Sequence, residues 1–247
     1  MSIPTETILN ASQCIYNWLE YLSKASENSK LIAESSLKYP FIESLERHSI
    51  NNVHLEFLHP LFKGKRIDAY IGNVQDINKT DESLPQMIFI EFKFVRGDTL
   101  SKKEQERYFN DIMRLKYLKQ RHHTAECFLL VCGESISFYN AFIYNPKIKA
   151  DKKIKENKKG VKRNKYKSIY NEWLSFNAKI RKKNINTTKR KYNNFISSFK
   201  EEYLSLKREN VQFEIEEKPK IITELKLLLP TSKSIDNSYS LGLWEIL

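Results

Sequence analysis

The stretch Arg66-Ile-Asp-Ala-Tyr-Ile71, followed after a loop by Met87-Ile-Phe-Ile-Glu-Phe-Lys-Phe-Val95, decides how the rest of the chain is read. Both segments are short and rich in β-branched and aromatic residues, and Pro85 sits in the loop between them, so two strands are expected. Apolar residues dominate both, as in strands buried on two faces. Three charged residues stand out: Asp68, Glu91 and Lys93. Glu91 and Lys93 are two apart, which on a strand points both to one side of the sheet. A carboxylate and an ammonium in an apolar strand carry a desolvation cost that only pairing or a site offsets. With Asp68 on the neighbouring strand, two carboxylates and a lysine would converge.

Such a set suits phosphodiester chemistry. Two carboxylates facing one pocket repel each other and attract a hard divalent cation, and Mg²⁺ prefers oxygen ligands while keeping several waters. A lysine beside the ion can orient a water, or deprotonate it if burial or a neighbouring charge lowers the amine's pKa. Asp68, followed after a gap by Glu91-Phe92-Lys93, resembles the D…(D/E)-x-K signature of the PD-(D/E)XK nuclease superfamily, with Ile67 where the name-giving proline would stand. The resemblance implies a restriction endonuclease-like α/β core, a mixed central sheet flanked by helices. It also implies a metal site of Asp68, Glu91 and the Phe92 carbonyl, holding Mg²⁺ for which Mn²⁺ substitutes, with Lys93 acting on the attacking water.

The resemblance extends on both sides. Ala33-Glu34-Ser-Ser-Leu37 lies in a helical stretch, a second run reaches Arg47, and a strand is expected at Val53 to Leu58. Members of the superfamily often carry a glutamate on the helix before the first core strand. Glu34 is assigned that role as catalytic and metal residue, with Glu43 and Glu56 as rivals. Downstream, Ser101-Lys-Lys-Glu104 is a capping box that starts a helix to about Arg121. Its first turns carry Gln105, Arg107 and Tyr108. By the resemblance, Gln105 joins the catalytic set and Arg107 touches the phosphate, although Tyr108 falls one residue early for a Q-x-x-x-Y pattern. A strand from Cys127 to Cys132 completes the order helix–strand–strand–strand–helix–strand. The resemblance covers roughly 31–144.

A chain of 247 residues, 40% hydrophobic with six glycines, fits a helix-rich α/β protein. Cys14, Cys127 and Cys132 form no C-x-x-C pair, and the last two read as core thiols in a reducing compartment. No apolar run approaches the ~18 residues of a membrane span and no leader pattern opens the sequence, so a cytoplasmic protein is expected. The segment Thr5 to Lys24 carries a one-faced helical pattern. His48, His54, His59, His122 and His123 read as surface residues of loops and helix ends, and Ile136 to Tyr144 reads as a strand.

Composition then shifts. Between Lys147 and Lys200 stand 19 Lys/Arg and three Asp/Glu, a local +16 against +12 for the whole chain, so the remainder sums to −4. Ile169, Trp173, Phe176 and Ile180 recur at helical spacing, as do Tyr192, Ile196, Phe199, Tyr203 and Leu206. The organisation expected is a nuclease-like core over 1–146, a basic helical insertion over 147–210, and a segment over 211–247 that packs back on the core. Lys162, Arg163, Lys165 and Lys167 are the expected contacts to a nucleic-acid backbone, with double-stranded DNA favoured as partner, no membrane, and homodimerisation open. The function expected is a metal-dependent DNA endonuclease of restriction, phage-defence or repair type. The alternatives are a catalytically inactive nucleic-acid-binding protein of the same fold and a protein-binding scaffold. Taken singly, Asp68 could also cap a strand end, Glu91 and Lys93 could form an edge salt bridge, and the lysine-rich block could be a solvated surface.

Overall fold

A computed structural model of the chain describes residues 5–25, 32–77, 86–96, 101–138, 142, 199–208, 221, 223–230 and 238–247. Lys162, Arg163, Lys165 and Lys167, the helical run over 169–180 and most of the basic segment lie outside them.

The elements run α1 (Thr5–Ala25), a 3-10 turn (Glu34–Leu37), α2 (Lys38–Arg47), β1 (Val53–Leu58), β2 (Arg66–Ile71), β3 (Ile88–Val95), α3 (Lys102–Arg121), β4 (Glu126–Glu134), α4 (Ser135–Phe138), a helix over 199–208, β5 (Thr223–Leu229) and β6 (Tyr239–Ile246). Among the described residues six strands form one mixed sheet in the order β1-β2-β3-β4-β6-β5, flanked by helices. β1, β2 and β3 form an antiparallel meander, β3 and β4 run parallel, and β6 pairs antiparallel with β4 and with β5. A parallel neighbour needs a crossover, and α3 supplies it. The Ser101 side chain accepts from the Glu104 backbone N–H while the Glu104 carboxylate accepts from the Ser101 N–H, so the expected capping box starts α3.

Alternation along β3 feeds two cores. Ile88, Ile90 and Phe92 join Ile15, Leu19, Phe41 and Leu45 of α1 and α2 on one face. Phe89 and Val95 join Phe109, Ile112 and Leu115 of α3 on the other, where Phe199, Tyr203 and Leu206 of the helix over 199–208 also pack. Glu91 and Lys93 fall between Phe89 and Val95 and so share the α3 face. Cys127 and Cys132 are buried free thiols, as expected. Among the described residues no helix is long and apolar enough to cross a membrane.

Two expectations are corrected. The run from Ile136 opens as the helical turn α4 rather than a strand, because β4 already ends at Glu134 and the sheet edge it would join is taken by β6. Phe138 and Phe142, four apart, stack at 5.5 Å and lie against Trp244, and Gly242 leaves the room that the indole occupies. Of the histidines, His59 and His122 are buried, not on the surface. The His59 Nδ1 accepts the backbone N–H groups of Leu61 and Phe62, which holds the β1–β2 turn, and burial lowers the pKa of both rings, His122 to about 4.

Candidate functional site

The sheet opens where Asp68, Glu91 and Lys93 sit. Pairing between β2 and β3 runs through Ile71–Ile88, Tyr70–Phe89 and Ala69–Ile90 and stops there, although the same register would set Asp68 opposite Glu91. On the other side of β2 the pairing passes from Leu55–Ala69 to Phe57–Ile67, skipping Glu56, whose φ of 50° is left-handed. A non-glycine residue held there costs on the order of 1–3 kcal/mol, and such strain gathers at functional sites. Both ladders are therefore broken at the level of Asp68.

The freed backbone groups of Phe92 find other partners. Its N–H donates to Asp68 Oδ2 at 2.9 Å, and its carbonyl accepts from Lys93 Nζ at 2.8 Å. On the opposite face the Phe92 ring meets Phe41 edge-on, with centroids 5.2 Å apart, which anchors this stretch of β3 against α2. Asp68 Oδ1 lies 2.7 Å from Lys38 Nζ at the start of α2, and Lys38 also holds Glu56.

Four carboxylates surround the Lys93 ammonium: Asp111 at 3.0 Å, Glu34 at 3.4 Å, Glu91 at 3.8 Å and Asp68 at 3.9 Å. Glu91 and Asp111 are almost wholly buried, and Glu34 stands 42% exposed at the mouth. Glu34 is placed by its 3-10 turn, which an Arg96 hydrogen bond to the Ile32 carbonyl ties to the end of β3. The Asp111 carboxylate also takes Arg114, one turn along α3, and Arg114 Nη1 lies 2.9 Å from Glu202 on the helix over 199–208. Lys65 reaches Glu202 from the β1–β2 turn at 3.0 Å. A cleft of about 390 Å³ opens over this network, lined by Glu34, Lys93, Arg107, Tyr108, Asp111 and Arg114 among others.

Crowding of like charges sets the protonation pattern. Burial pushes Glu91 well above the ordinary carboxylate range, and the neighbouring Asp111 and Asp68 push it further, against the pull of Lys93. Burial acts on Asp68 in the same sense, but Lys93, the hydrogen bond from Glu91 and Lys38 outweigh it and hold Asp68 below its usual value. Asp68 and Glu91 are thus pushed in opposite directions, so that Asp68 gives up its proton before Glu91 does. The Glu34 carboxyl is raised, first by burial. Burial would depress Lys93, yet Asp111, Glu91, Glu34 and Asp68 together lift it well above its ordinary pKa. The lysine that could act as a base if its pKa fell is here a firmly charged ammonium.

The structure thus brings Asp68, Glu91, the Phe92 carbonyl, Lys93 and Glu34 to one point. Of the rivals to Glu34, Glu56 shares the Lys38 ammonium with Asp68, and Glu43 pairs with Arg47 on the exposed side of α2. Arg107 is exposed on the cleft wall, while the Gln105 side chain lies outside the described residues. Sequence reasoning missed Asp111, Arg114, Lys38 and Glu202. Asp111 left a trace: it falls on the stripe Tyr108, Leu115, Leu118 at helical spacing, where a carboxylate is out of place.

No protein-family model, curated protein or solved structure matches this chain.

The donor chemistry can be weighed against a divalent ion. Among the described residues the groups that accept from Lys93 are oxygens: three largely buried carboxylates, the more exposed Glu34, and the Phe92 backbone carbonyl. Hard oxygen donors in negative excess suit Mg²⁺ or Mn²⁺. Among the described residues no three His, Cys, Asp or Glu side chains stand at ligating geometry, and the Lys93 ammonium lies among the carboxylates that would have to close on an ion.

Proposed function

We propose that the chain is a metal-dependent nuclease that hydrolyses phosphodiester bonds, most fittingly in DNA, on a restriction endonuclease-like core. One observation carries this reading: Asp68, Glu91, Lys93 and the Phe92 carbonyl converge where both ladders of β2 break. The element order, with α3 crossing between parallel β3 and β4, supports it. So does the basic segment, whose charge suits a phosphate backbone.

Asp68, Glu91 and the Phe92 carbonyl, with Glu34 at the mouth, would hold Mg²⁺. When bound, such an ion polarises a phosphate oxygen and makes its water more acidic. Hydrolysis adds water to phosphorus and breaks one P–O ester bond, leaving a phosphate monoester and a hydroxyl. Lys93, as an ammonium, orients the water by donating to it and offsets charge that builds on the phosphate oxygens. Asp68, kept ionised by Lys38 and Lys93, is the fixed anion of the set. Arg107, exposed on the cleft wall, would meet a phosphate. Lys162, Arg163, Lys165 and Lys167 supply backbone contacts that position the duplex without reading bases.

Incubating supercoiled plasmid DNA with the protein and Mg²⁺ or Mn²⁺, with and without EDTA, tests the reading. Nicked or linear product that EDTA abolishes is expected. Salt-dependent binding with no cleavage under any divalent ion would instead favour the inactive binding protein, in which Lys93 and its carboxylates are only a buried ion network. A second assay isolates the basic block: changing Lys162, Arg163, Lys165 and Lys167 to glutamine should weaken binding about equally on all sequences. It should also flatten the salt dependence by roughly 0.7–0.9 for each phosphate that is no longer neutralised. An unchanged salt slope would make that block a solvated surface.

A further inference from the structure

Lys93 Nζ is in direct contact with the Phe92 carbonyl at 2.8 Å and lies within 4 Å of both Asp68 and Glu91. These are the oxygens that the nuclease reading gives to a divalent ion. Two cations cannot share them: like charges about 4 Å apart and partly shielded from water repel strongly, and a divalent ion doubles that repulsion. The ammonium must therefore have somewhere else to go, and it cannot go to solvent cheaply because its side chain is only 12% exposed. The nearest carboxylate to Nζ is not one of the motif residues but Asp111, at 3.0 Å, on the opposite wall formed by α3. Asp111 is held in place from behind by Arg114, and Arg114 by Glu202, so this second seat is braced.

We propose that Asp111 is a positioning residue of the site: it is the acceptor that holds the Lys93 ammonium when a divalent ion takes the Phe92 carbonyl and the Asp68 and Glu91 carboxylates. This rests on the nuclease reading of the same site. Lys93 then serves as the internal cation that occupies the carbonyl until the ion displaces it, and Asp111 fixes where the displaced amine stands relative to the attacking water. Asp111 acts through Lys93 and is not itself a ligand, which separates it from Glu34, Asp68 and Glu91.

A double-mutant cycle with Mn²⁺ alone as the probe, read by the fall of the free-ion electron paramagnetic resonance signal, tests this. Lys93→Met removes the competing ammonium, and Mn²⁺ should bind at least about tenfold tighter than to the unaltered protein. Asp111→Asn leaves the ammonium without its other seat, and Mn²⁺ should bind about tenfold or more weakly, the range found when a residue behind a metal ligand is removed. In the Lys93→Met background the same Asp111→Asn change should cost no more than about twofold, because Asp111 then has nothing to hold. Asp111→Glu should restore most of the affinity. Thermal melts of each metal-free variant establish folding, and Lys93→Gln takes the place of Lys93→Met if the latter fails to fold. Equal losses from Asp111→Asn in both backgrounds would overturn the proposal and make Asp111 a ligand or a mere charge. Weaker binding by Lys93→Met would overturn it as well. If neither the unaltered protein nor Lys93→Met binds Mn²⁺, the metal reading itself falls, and the role of Asp111 with it.

Discussion

The two halves of β3 are three and five residues of one strand, yet they are built for different ends. Ile88–Ile90 pairs with β2 and with β4, is wholly buried and carries no charge. From Glu91 onward β3 keeps β4 but loses β2, and the backbone of Phe92 turns to Asp68 and Lys93 instead. The first half holds the fold together. The second half gives up ladder bonds and buries a carboxyl and an ammonium, and the two are connected, since only where the ladder opens can side chains reach the freed N–H and carbonyl. A buried charge is tolerable where its partners are already in place, and here each cation has at least two.

Substitutions in the two halves should separate activity from stability. The largest effect is expected from Lys93→Ala: DNA cleavage should fall at least ~100-fold while affinity for DNA stays within about twofold, because on the proposed nuclease reading the lysine would act on the water and not on docking. Cleavage at the normal rate, in a variant that melts normally, would remove Lys93 from the site. Next, Ile90→Ala, one residue before the opening, should lower stability by about 2–5 kcal/mol in a denaturant titration and leave the activity per folded molecule unchanged. If it lost activity without losing stability, the division between the halves would fail.

The smallest shift in stability is the most telling about charge. The Glu91 pKa is raised on folding, so its contribution favours the folded state below the ordinary carboxylate range and is lost as pH rises through the folded value. Glu91→Gln should remove that loss. Its melting temperature near neutral pH should exceed that of the unaltered protein, by about 2–4 °C for each kcal/mol recovered, while cleavage disappears. Asp68 has the opposite sign: its lowered pKa gives stability above the ordinary range that is lost as pH falls through the folded value, so Asp68→Asn should be destabilising at neutral pH. Melting curves between pH 4 and 8 compare the two, and parallel curves for both variants would contradict the assigned protonation.

How much of this was legible in the sequence follows the same division. β2 and β3 announce themselves by β-branched and aromatic runs, and the spacing of Glu91 and Lys93 puts both on one face by the geometry of the strand alone. The capping box of Ser101 and Glu104 likewise fixes the start of α3 locally. Asp111, Lys38 and Glu202 were not legible, because their roles depend on which helix face docks over the opening. Lys38 sits between Leu37 and Tyr39 and reads as one more solvated lysine, yet it is 6% exposed and grips Asp68. The start of the Ile136 to Tyr144 run misled because apolar density alone cannot tell a strand from a helical turn such as Ser135–Phe138, while residues 139–141 and 143–144 lie outside the described residues. The lysine's charge state was also out of reach: two of its four carboxylates come from outside β2 and β3.

Crystals soaked in Mn²⁺ would show whether the open half of β3 is a cation seat. An anomalous peak is expected within ligand distance of Asp68, Glu91 and the Phe92 carbonyl, with Glu34 close by and Lys93 moved off the carbonyl but still on Asp111. No peak between Asp68 and Glu91 at saturating Mn²⁺, with Lys93 unmoved on the Phe92 carbonyl, would contradict it.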